Sequence, residues 1–191
     1  MLSGVRRLMS PSLWLPRTTL ITLTVMQALV GFAWSRVGLR FDGAFDVHRT
    51  WASSAPVPIT HALIDQLAAL VVTSVVVVVA MRLIGATLMW RDAFMLVGVA
   101  RVPLVASAPL VLLLHLPPEV GRVTSGMPAI PSVLELAMIA ALIVSLCWTI
   151  AILVGGIRHA SHAQGWRLAG LTLMIVVIAE FVSKVLVSAA R

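Results

Sequence analysis

The 191-residue chain is 60% hydrophobic and 11% charged, with a mean hydropathy of +1.06. Soluble domains average about 45–50% apolar and about 25% charged residues, so this chain lacks the charge to clothe a water-facing surface, and it is too apolar to stay disordered. Its formal charge of +7 is spread as single cations beside apolar runs, apart from the pair Arg6-Arg7, which fits span ends rather than a nucleic-acid surface.

A membrane helix needs about 20 mostly apolar residues, and five segments qualify in chain order. They run from about Thr18 to Ser35, His61 to Met81, Ala93 to His115, Val133 to Ile157 and Trp166 to Ala190. Arginines precede the first segment, as in a signal peptide. Its apolar run is long for an h-region and no A-x-A site follows, so a retained span is expected. The Val-rich second segment does not alternate, and hydrocarbon forbids an open strand edge, so it reads as helix. Pro103 and Pro109 fall inside the third segment, and each removes a backbone hydrogen bond, so this helix is expected to kink.

The fold class expected is therefore all-α, a polytopic membrane bundle of five helices. Residues 1–17 read as a short cytoplasmic segment and residues 18–190 as one five-span domain. Counting cations, Arg6, Arg7, Arg17, Arg82, Arg91, Arg158 and Arg167 fall on one side. Arg36, Arg40, Arg49, Arg122 and Arg191 fall on the other. The bias favours a cytoplasmic N-terminus and an external C-terminus. Trp14, Trp34, Trp90 and Trp166 lie near predicted span ends, where an aromatic belt would sit.

Ionisable residues at membrane depth carry the most information, since each costs several kcal/mol without a partner. Arg101 lies in the third span, and Glu180 and Lys184 lie in the fifth at i,i+4 spacing, the favourable order for a helix ion pair. Arg101 is placed to snorkel toward the near interface or to donate to carbonyls freed by Pro103. One reading of the three is a polar path for a solute or ion. The other is a neutralised contact that fixes helix register. Asp65 and Glu135 read as first-turn acids stabilised by the helix dipole. Small residues at four-residue spacing, Gly31 with Ser35, Ala137 with Ala141 and Ser145, and Gly165 with Ala169, would allow close helix approach.

Asp42, Asp46 and His48 cluster in the loop after the first span, in FDGAFDVHRTW. They could bind a metal or cap turns. His159 and His162 stand at i,i+3, but a metal needs three or four ligands. No metal site, cofactor or catalytic residue is assigned. No H-E-x-x-H, G-x-S-x-G, P-loop or dinucleotide fingerprint occurs, so an enzyme is not expected.

Four stretches carry a resemblance: FDGAFDVH at 41–48, DAFMLVGVARVP at 92–103, WTIAILVGGIRH at 148–159 and AEFVSK at 179–184. In this order, with five spans, the chain resembles the Yip family of Ypt/Rab-interacting membrane proteins, most closely its bacterial branch. The resemblance implies that Asp42, Asp46, His48, Arg101, Pro103, Glu180 and Lys184 are family positions sharing a structural task. It also implies a non-enzymatic scaffold or membrane-organising role in a bacterial inner membrane. The partners would be the bilayer and other membrane proteins or a second copy. The alternative is a transporter using Arg101, Glu180 and Lys184.

Overall fold

Runs this apolar have no water to satisfy their backbone, so they close their own hydrogen bonds as helices. The structure, a computed structural model, describes residues 15–37, 39–41, 43–49, 58–114 and 133–189. It contains helices α1 (Arg17–Arg36), α2 (Ile59–Leu83), α3 (Trp90–Ala100), α4 (Val102–Ser107), α5 (Pro109–Leu114), α6 (Val133–Ser161) and α7 (Gly165–Ala189). The segments α3, α4 and α5 together form the third span, and among the described residues five spans are long and apolar enough to cross a membrane. The protein is an all-helical, integral membrane bundle whose solvent is the lipid bilayer. Two-residue strands β1 (Leu39–Arg40) and β2 (His48–Arg49) pair antiparallel in the connection after α1.

The third span breaks where proline chemistry demands it. Pro103 cannot donate to the carbonyl of Val99, and the helix interrupts at Arg101, with φ −79° and ψ −12°. A second break at Ala108 immediately precedes Pro109. The expected kink is thus a double break. The loop between α2 and α3 is set by Gly85, whose φ of 76° suits the left-handed helix cap. The amide of Ala86 closes the cap on the Met81 carbonyl at 2.9 Å.

Spans two and three are central. Their apolar windows are 56% and 61% buried, against 28%, 22% and 33% for spans one, four and five. Helix α2 packs most extensively on α7, and α3 lies against α1, α2 and α6. Leu96, Val97, Leu153, Ile157 and Ile175 are among the large buried side chains of the main core. A second, smaller core joins Leu39 and Phe41 to Val105, Ala108 and Val111.

Close approach comes from glycines that hydropathy does not flag. Gly156 meets Leu96, and Gly98 meets Thr24. Helix α6 runs through Gly155-Gly156 to Ser161, one turn past the expected end at Ile157. Of the three small-residue patterns, Gly31 and Ser35 are buried against neighbours, while Ala137, Ala141 and Ala169 are exposed. At Gly98 a Cβ would strike Thr24, a stiff β-branched side chain whose hydroxyl is bonded to the Leu20 carbonyl at 2.8 Å. The Gly98→Val variant is therefore expected to lose about 1–3 kcal/mol by overpacking, read as a lower unfolding midpoint in detergent.

Candidate polar site

Buried polar side chains in these spans divide by how they are satisfied. The hydroxyls of Thr24, Ser35, Thr73, Ser74 and Thr172 each donate to a carbonyl four residues back on their own helix. Such groups cost little at membrane depth. Gln27, Gln66 and Arg101 differ. They are 4%, 3% and 1% exposed. Both amide heteroatoms of each glutamine, and all three guanidinium nitrogens, lack a hydrogen-bond partner among the described residues.

Helical register brings Gln27 level with Arg101 and places the Gln66 amide one turn along α1, beside Gly31. Thr24 meets Gly98, and α1 runs parallel to span three, so one turn further Gln27 stands level with Arg101. A Cβ on Gly31, one turn beyond Gln27, would lie 2.7 Å from the Gln66 amide, so glycine there makes room for that side chain. The other buried unpartnered atoms among the described residues are single ones, on Trp34, His61 and Thr149.

Arg101 thus neither snorkels nor donates to carbonyls freed by Pro103. It is the largest fully buried side chain, held about 16 Å along the third span at 1.5 Å per residue. Glu180 acts on it electrostatically without a hydrogen bond between them.

Glu180 is the centre of a second arrangement. Its Oε1 accepts from Lys184 Nζ at 3.1 Å, the i,i+4 pair. Its Oε2 accepts from the backbone N–H of Phe45 at 2.9 Å. Lys184 Nζ also bonds Asp46 Oδ2 at 2.8 Å. The described part of the connection after α1, residues 39–41 and 43–49, is therefore a plug docked on span five. Leu39, Phe41 and Ala44 are completely buried in it, which is how irregular backbone is tolerated beside a bilayer. Gly43 makes the docking tight, since any Cβ there would collide with the Glu180 carboxylate.

Of the loop group expected from sequence, the described residues include only the side chain of Asp46. Asp46 belongs with Glu180 and Lys184. Asp42 lies outside the described residues, and so does the His48 side chain. Asp65 is not a first-turn acid: α2 begins at Ile59, and Asp65 is fully buried. The Glu135 side chain lies outside the described residues. Trp34 is half-buried against the plug's core rather than in a belt, whereas Trp90 and Trp166 are exposed at the other end. Trp14 is outside the described residues. Sequence reasoning missed Gln27 and Gln66 because it searched the spans for ionisable groups alone. An amide in a span is also a signal of a polar interior.

The Asp46–Lys184 bond is half-exposed, with side chains 36% and 46% accessible. Exposed pairs contribute about 0–1 kcal/mol, so Asp46→Asn is expected to lower stability by about 1 kcal/mol or less, measured by thermal unfolding in detergent.

A double-broken third span carries Arg101, and a plug closes on Glu180 and Lys184. A family model, the Yip1 domain, matches residues 3–186 of this chain. The chain belongs to the Yip1-domain family. The match spans the plug, the broken span and the fifth-span pair, so all three lie inside the Yip1 domain. No curated protein and no solved structure matches the chain.

Proposed function

We propose that this Yip-family protein is a non-enzymatic scaffold or membrane-organising partner, built as a single five-span domain. The observation that carries this reading is that Glu180 and Lys184 of the fifth span are spent on the protein's own plug. Lys184 is held by Asp46 and Glu180, and Glu180 also by the Phe45 amide. A conduction path needs exchangeable polar groups along its length, whereas these groups fix one connection to one helix. The setting proposed is a bacterial inner membrane, with the N-terminus cytoplasmic. Supporting that orientation, Arg17, Arg82, Arg91, Arg158 and Arg167 gather at the end opposite the plug. Span four offers a partner surface, since Leu134, Leu136, Ile143, Val144 and Trp148 are all exposed. Other membrane proteins or a second copy would pack there.

A transporter is the second reading, favoured by the unpartnered donors of Arg101, Gln27 and Gln66. Unsatisfied buried polar atoms are the places where water enters a protein interior. Cysteine labelling separates the two. Cys147 is exposed and is first replaced by alanine. Single cysteines at 27 and 101, both buried, are then treated with a membrane-impermeant maleimide from each side. The scaffold requires both to stay unlabelled; labelling at either overturns it in favour of a path. Position 184 does not discriminate, because Lys184 is half-exposed in any case.

A further inference from the structure

At the end of the bundle away from the plug, the starts of α1 and α3 and the last turns of α6 enclose a groove of about 410 Å³. Ligand pockets span about 300–1,000 Å³. Leu20, Met95 and Leu96 form apolar walls, and Arg17, His159 and Asp92 supply the polar groups. Exposed Trp90 and Trp166 stand at this same end, and Arg167 lies 5.6 Å over the Trp166 ring. Exposed tryptophans among arginines mark the depth of lipid headgroups. The groove displays both signs of charge. The neighbouring Arg91 approaches Asp92 at only 3.8 Å and is itself 59% exposed, so the Asp92 carboxylate keeps capacity to accept hydrogen bonds.

We propose that this groove binds the headgroup of a zwitterionic phospholipid bearing a primary ammonium. Arg17 and His159 take the phosphate, Asp92 takes the ammonium, and the first part of an acyl chain lies along Leu20, Met95 and Leu96. The apolar walls call for an amphiphile rather than free phosphate. Asp92 disfavours a headgroup that carries net negative charge and no cation. It also discriminates against choline, whose quaternary nitrogen has no N–H to donate.

The test is native mass spectrometry of the detergent-solubilised full chain, exchanged into an equimolar mixture of phosphatidylethanolamine, phosphatidylcholine and phosphatidylglycerol. The wild type is expected to retain phosphatidylethanolamine about tenfold over each of the others, the worth of one charge-assisted hydrogen bond. Asp92→Asn should bring that preference close to one. The double variant Arg17→Ala, His159→Ala should lower retention of all three lipids together. Because these polar groups sit at the surface, the thermal midpoint should hold in each variant and keep binding separable from folding. Equal retention of the three lipids by the wild type overturns the proposal, as does a preference that survives Asp92→Asn.

Discussion

Glu180→Leu is expected to lower the stability of the detergent-solubilised protein by about 2–4 kcal/mol, between the cost of losing charged hydrogen bonds and that of breaking a buried ion pair. Three groups lose their partner at once. Lys184 keeps only Asp46, the Phe45 amide loses its acceptor, and Arg101 loses the nearby negative charge. Glu180→Gln separates these effects. A glutamine oxygen still accepts from Phe45, so Gln restores most of the loss if anchoring the plug dominates, and little if the charge dominates. Arg101→Met is expected to change stability by about 1 kcal/mol or less, because an apolar replacement of a buried charge is often neutral or stabilising. In the Glu180→Leu background the same change should recover about 1 kcal/mol, since charges that interact do not add. Strict additivity in thermal unfolding would show that Glu180 does not balance Arg101. Arg101 tolerates loss better than Glu180, and the reason lies in side-chain hydrogen bonds made and not made: the Arg101 guanidinium makes none with the described residues, and the Glu180 carboxylate receives two.

The second large effect is expected at Gly43. A β-carbon there meets the Glu180 carboxylate, which is the end of a flexible side chain and could swing away. Swinging, however, breaks the bonds to both Lys184 and Phe45. Gly43→Val should therefore eject the plug, with a loss of about 2–3 kcal/mol, two charge-assisted hydrogen bonds partly replaced by water. Trypsin should then cut at Arg40 or Arg49, which the β1–β2 pairing otherwise holds. A wild-type cleavage rate in Gly43→Val would refute the tight docking of the plug. Gly43→Ala should fall between the two, because the collision begins at Cβ.

The two variants probe one design. Plug and fifth span are joined by a hydrogen bond between residues 135 apart in sequence. The charges that make the join fall near the end of a span, where ionisable groups are least costly. Arg101 is fully buried and makes no side-chain hydrogen bond among the described residues.

The five spans, the all-helical class and the kinked third helix were determined by the sequence itself. Each follows from local chemistry: apolar length against a fixed hydrocarbon thickness, backbone groups with no water, and prolines with no N–H. The i,i+4 pair of Glu180 and Lys184 was legible for the same reason, since both residues lie on one helix. What only the tertiary structure decided is where distant segments meet. Asp46 reads as a loop acid beside Asp42 and His48, yet it bonds Lys184. Gly43 reads as half of a turn dipeptide, yet it is the contact that seats the plug. Gln27 and Gln66 attract no notice singly, and stand out only when the fold buries both without hydrogen-bond partners among the described residues, as it does Arg101. Hydropathy reports the solvent each residue prefers, while a partner across the bundle depends on helix rotation and close approach, which no single stretch of chain encodes.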